Sequence, residues 1–121
     1  DIEINSDMPF IKSIQSKACD ISVSASAEKS FSLELFGLKI SFNADDKILQ
    51  CLDKSAPLKC ESGTVDLRII FDTLYTEIFA DFGTVFMGMT YIADSNLNSL
   101  SIKSKNATIH NIRVFELNSI H

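Results

Sequence analysis

Hydrophobic and polar residues alternate along most of this chain. "SFSLELF" sets Phe31, Leu33 and Leu35 against Ser30, Ser32 and Glu34. "LKISFN" sets Leu38, Ile40 and Phe42 against Lys39, Ser41 and Asn43. A period of two predicts strands with one buried and one wet face. Gly37 lies between the two runs, where a tight turn favours a residue tolerant of positive φ. "ISVSASA" before them points Ile21, Val23 and Ala25 inward. "TVDLRIIFD" after them does the same with Val65, Leu67, Ile69 and Phe71.

Shorter runs complete the series. Asp45-Asp46 marks a turn before a strand at 48–52, and residues 53–63, with Pro57 and Gly63, read as a loop or ragged edge. "YTEIFA", "TVFMGMT", "SLSIKS" and "IRVFEL" follow, for a total of nine to eleven strands. Residues 8–18 space Ile11, Ile14 and Ala18 as a helix would. Pro9 and the β-branched residues make that stretch equally a strand. Many short strands without a long helix predict a β-sandwich or barrel. No repeat or linker divides residues 1–121, so a single domain is expected.

Composition excludes more than it assigns. The net charge is −5 and the eleven basic residues are scattered. Nucleic acids and anionic membranes select clustered Lys and Arg, so neither is an expected partner. No apolar run approaches the roughly 18 residues of a membrane span. Cys19, Cys51 and Cys60 form no metal-ligand spacing, and an odd number cannot pair fully, so they read as small buried or half-buried thiols. No metal, cofactor or signal peptide is expected. The chain opens at Asp1 rather than Met, which suggests a fragment or a processed product.

Three candidate chemistries fail on context. Asp81-Phe82-Gly83 matches the magnesium-binding tripeptide of protein kinases. With four glycines in the chain and no catalytic-loop His-Arg-Asp, it lacks the rest of that machinery. It reads as a hairpin turn with Gly83 in the left-handed conformation. Asp72 and Glu77 suggest a glycosidase pair, whose carboxyls stand roughly 5–9.5 Å apart in a cleft. Asp72 instead suits a turn cap, and Glu77 a cross-strand pair with Arg68. His110 and His121 have no nucleophile at a recognised spacing, and no Gly-x-Ser-x-Gly is present, so no catalytic residue is assigned. Asn106-Ala107-Thr108 fits the N-glycosylation triplet.

The stretch "VDLRIIFDTLYTEIFADFGTVF" resembles the C-terminal β-sandwich module of glycoside hydrolase family 32, the invertases, levanases, inulinases and sucrose-6-phosphate hydrolases. That module runs from a hydrophobic strand through Asp, a few small or polar residues and Glu-aliphatic-Phe to a Gly-containing hairpin. Here these are Leu67 to Phe71, then Asp72, then Glu77-Ile78-Phe79, then the turn at Gly83. The closing "NIRVFELNSIH" resembles the family's last strand. Two departures stand out: Thr73-Leu74-Tyr75 replaces the usual Arg-Ser-Ser, and His121 takes the place of a terminal Trp.

The resemblance implies an antiparallel two-sheet β-sandwich of the concanavalin A-like or jelly-roll type. It implies no catalysis in this chain, because the family's nucleophile and acid lie on a separate N-terminal propeller. The motifs of that propeller, Asn-Asp-Pro, Arg-Asp-Pro and Glu-Cys, are absent here. The expected partner is therefore a propeller in the same polypeptide, with a second copy of the chain or a carbohydrate as further partners. A docking role predicts an apolar patch, for which Ile70, Leu74, Phe79, Phe86 and Phe115 are the candidates. A carbohydrate-binding role predicts exposed aromatics, and Tyr75 and Tyr91 are the tyrosines available.

Overall fold

The computed structural model describes residues 1–60, 63–94 and 96–117. Among these residues, twelve strands form two six-stranded sheets, all paired antiparallel. The strands are β1 (Ile2–Asn5), β2 (Phe10–Ser13), β3 (Cys19–Ala27), β4 (Phe31–Leu35), β5 (Leu38–Asn43) and β6 (Ile48–Cys51). They continue with β7 (Lys54–Pro57), β8 (Val65–Phe71), β9 (Tyr75–Ala80), β10 (Val85–Thr90), β11 (Ser99–Ser104) and β12 (Asn106–Glu116). The front sheet runs β1-β12-β3-β8-β9-β10 and the back sheet β2-β11-β4-β5-β6-β7. This is the two-sheet sandwich the resemblance implied.

Alternation explains how the layers close. Ile21, Val23, Leu67, Ile69, Phe71 and Ile78 line the inner face of the front sheet. Leu33, Leu35, Leu38, Ile40, Leu49 and Leu100 line the inner face of the back sheet. Each set removes its apolar surface from water against the other, at roughly 25 cal/mol per Å². Phe36 and Phe71 meet edge-on across the core, 5.1 Å between ring centroids. Phe36 occupies positive φ (51°) in the two-residue β4–β5 turn, followed by Gly37 at 89°. Burial of the Phe36 ring offsets that backbone cost.

Two stretches left open by the sequence are resolved. Residues 53–63 were read as a loop or ragged edge, and Lys54–Pro57 pairs with β6 as an edge strand. Pro57 is tolerated there because an outer strand leaves one row of N–H groups unpaired. The ambiguous stretch 8–18 is no helix: Phe10–Ser13 pairs with β11, and Ile14 is fully buried. With β1 paired to β12, the strand total rises above the expected nine to eleven. No described helix is long and apolar enough to cross a membrane. His121, which the sequence places where the family ends in Trp, lies outside the described residues.

Candidate functional site

The hairpin β8–β9–β10 carries most of the residues singled out above. Asp72 sits at the β8–β9 turn, where its Oδ1 accepts a hydrogen bond from the Thr73 N–H at 2.7 Å. Its own N–H donates to the Tyr75 carbonyl at 2.8 Å. Glu77 faces outward between Ile70 of β8 and Gly88 of β10. The register does not bring it to Arg68, which lies opposite Phe79. Arg68 instead forks onto Asp20 of β3, with Nε–Oδ1 at 3.1 Å and Nη2–Oδ2 at 2.7 Å. That hydrogen-bonded pair raises the guanidinium pKa above its ordinary value. The signal for Asp20 was present in the sequence, since it alternates with inward Cys19 and Ile21.

The Asp81-Phe82-Gly83 turn is more constrained than its sequence suggests. All three residues have positive φ, at 50°, 56° and 85°. The Gly83 N–H donates to the Ala80 carbonyl at 3.1 Å and closes the turn. The Asp81 carboxylate accepts from the backbone N–H of Lys59 at 2.5 Å and of Cys60 at 3.4 Å. It thus ties the hairpin tip to the loop after β7. Phe82 is left 80% exposed.

Tyr75 and Tyr91 have different environments. The Tyr91 hydroxyl donates to the Phe36 carbonyl at 3.0 Å, and its ring meets Phe71 at 6.2 Å. It locks the β4–β5 turn, and a Cβ on Gly37 would come within 2.5 Å of its Oη. Burial, with Asp94 beside it, raises the phenol's pKa. Tyr75 is exposed on the outer face of the front sheet and lies across Gly88. A Cβ there would approach Tyr75 Oη to 2.3 Å and Phe86 Cζ to 3.0 Å. Gly88 is the bare position over which those two rings converge.

The outer face of the front sheet gathers the apolar candidates. Ile70, Phe79, Phe86 and Phe115 all point outward from it, and Leu74 is exposed at the adjoining β8–β9 turn. Phe86 is 52% and Phe115 59% exposed. Phe79 meets Phe86 in a tilted pair, 5.2 Å between ring centroids. Beside them, a groove of about 370 Å³ crosses the same sheet. Ser22, Ser24, Asp66, Arg68 and Asn111 give its lining polar groups, and Phe79 and Phe82 line it as well.

One further cluster has the connectivity of a catalytic triad, and sequence spacing gave no hint of it. Ser26 Oγ meets His110 Nε2, and His110 Nδ1 lies 3.3 Å from Asp1 Oδ2. A β-bulge between Ile109 and Asn111 turns His110 outward to make this possible. The imidazole is 36% and the carboxylate 63% exposed. Water screens charges so exposed, whereas acyl-transfer catalysis relies on preorganised dipoles in a water-excluded site. The cluster therefore pins the bulge. The cysteines are equally unsuited to nucleophilic work. Burial, with Glu116 and Asp20 nearby, pushes Cys19 up to about 12, and burial pushes Cys51 up to about 11. Among the described residues, no three His, Cys, Asp or Glu side chains gather as a metal site.

The fold defines this chain as an antiparallel two-sheet β-sandwich, and similar sandwiches occur among solved structures in two settings. A fructofuranosidase of Schwanniomyces occidentalis solved with fructosylnystose superposes with a TM-score of 0.77 and 14% identity. That match covers 98% of this chain and 32% of the enzyme. Sucrose-6-phosphate hydrolase of Lactobacillus gasseri gives 0.72 and 19% identity, over 98% of this chain and 28% of the enzyme. A galectin of Caenorhabditis elegans gives 0.69 and 13%, over 94% of this chain and 96% of the galectin. The chain thus spans about a third or less of these two hydrolases and nearly the whole of the galectin. No family model matches the sequence, and no curated protein matches it.

Proposed function

We propose that this chain is a non-catalytic β-sandwich module of a family 32 glycoside hydrolase acting on sucrose or fructans. In this reading it supports a catalytic propeller in the same polypeptide. The observation that carries it is the outer face of the front sheet toward β10, where Phe86, Leu74 and Tyr75 are exposed and the Tyr75 and Phe86 rings converge over Gly88. Exposed apolar groups gathered in this way mark an interaction surface. The strand at that border, β10, has no Lys, Arg, Pro or acidic residue to blunt its free edge, unlike β2 with Lys12 and β7 with Lys54 and Pro57. Coverage of about a third of each fructan- or sucrose-cleaving enzyme supports the same reading. The test is hydrolysis of sucrose, inulin and levan by the isolated chain. Release of no reducing sugar is expected, and turnover would overturn the proposal.

A second reading is a carbohydrate-binding module that holds a fructan or another sugar directly. The polar groove beside the apolar patch supports it, as does the occurrence of this fold as a complete galectin.

A further inference from the structure

We propose that the groove across β12, β3 and β8 binds one neutral saccharide ring, with Phe82 as its stacking face. This rests on the second reading above and gives it a location. The starting observation is the state of Phe82. A bulky residue at positive φ is a backbone outlier, and such strain persists only where the surroundings impose it. Here the hairpin turn closed by the Gly83 N–H on the Ala80 carbonyl imposes it, and Asp81, whose carboxylate holds two backbone N–H groups of the loop after β7, anchors the tip. Burial offsets the strain at Phe36, but Phe82 is 80% exposed at φ 56°. Its aromatic ring stands largely in water where it lines the groove.

The rest of the groove suits a polyol. Arg68 uses Nε and Nη2 on Asp20, which fixes the guanidinium plane and leaves three N–H donors for other partners. Asp66 offers acceptors two residues along the same face, and its carboxylate also receives Thr64 Oγ1 at 3.4 Å. Ser22, Ser24 and Asn111 each present both donor and acceptor. Adjacent ring hydroxyls can take two donors of one guanidinium or both oxygens of one carboxylate. The C–H face of the ring would lie on Phe82. Arg113 faces Ser22 from β12, so two guanidinium groups offset Asp20 and Asp66, and charge favours a neutral ligand. A volume near 370 Å³ lies at the small end of the ~300–1,000 Å³ range of ligand sites. It suits a single ring.

The test is a backbone amide NMR titration of the whole chain with sucrose, lactose and a short inulin oligosaccharide. Shifts should concentrate at Ser22, Ser24, Arg68, Phe82 and Asn111. Phe82→Gly should weaken binding roughly tenfold while its melting temperature stays equal or rises, because glycine relieves the positive φ. Asn111→Ala should also weaken binding. Shifts confined to another surface would overturn this site and leave sugar binding in place. No shift with any of the three sugars would overturn both. A Phe82→Gly variant that melts lower and binds unchanged would show Phe82 to be structural and end the proposal.

Discussion

Asp81 illustrates how a single side chain can mislead in sequence and explain itself in structure. Its neighbours Phe82 and Gly83 suggested magnesium, yet its oxygens accept backbone N–H groups from a loop 21 and 22 residues away. Nothing local encodes such a contact. Asp72 was legible because its partner is the next residue, Thr73. Arg68 was half legible. Its outward position followed from alternation, but choosing Asp20 over Glu77 required the order of strands in the sheet.

The cysteines carry a residue-scale prediction. In the folded chain Cys19 and Cys51 keep their protons to about pH 12 and 11, while an ordinary thiol releases its proton near 9.0. Between those limits the unfolded state binds fewer protons, so stability falls as pH rises. Below pH 9 the contribution is fully present. Above it, each thiol removes up to about 1.4 kcal/mol per pH unit. Urea unfolding across the alkaline range should show this decline, and Cys51→Ala should make its slope shallower. A slope unchanged by that substitution would contradict the burial argument.

Among elements, the strands with clean alternation were read from the sequence, and β3, β4, β5 and β8 lie where the pattern puts them. β6, only four residues long, alternates Leu49 and Cys51 inward and was read, whereas the equally short β1, β2 and β7 were not fixed as strands because they bury at most one side chain each and show no alternation. Their pairing comes from neighbours far along the chain. β10 poses a different question, since its period-two pattern is interrupted by Gly88. Glycine weakens a strand interior by roughly 0.5–1 kcal/mol relative to alanine, so its presence calls for a cause. The cause is the approach of Tyr75 and Phe86 over that position. Both are the far ends of side chains on an open face and can move. Gly88→Ala should therefore leave stability within about 1 kcal/mol of the parent. It should also displace both rings, which Tyr75 fluorescence and aromatic NMR shifts would report. A loss of several kcal/mol would mean that the rings cannot yield.

For the whole molecule, the sandwich was legible while its strand order was not. Alternation tells which side chains face inward, but both sheets present the same signal. Residue pairs such as Ile4 with Ala107 come together only because the β1 and β12 ends of the chain meet at one border of the front sheet. The candidate docking residues followed from position relative to their strands. That four of them share one outer face was visible only once the sheet order was known. The same face holds the polar groove at β12, β3 and β8 and the exposed Phe86, Leu74 and Tyr75 toward β10, so the two proposed surfaces adjoin.

The docking claim is tested most directly by amide hydrogen exchange of β9 and β10. The comparison is between this chain alone and the full polypeptide that its gene encodes. If the outer face and free edge of the front sheet are covered by a catalytic propeller, β10 amides should exchange at least tenfold more slowly in the full polypeptide. The guarded edges β2 and β7 should be unchanged. Equal exchange of β10 in both proteins would contradict the proposed role.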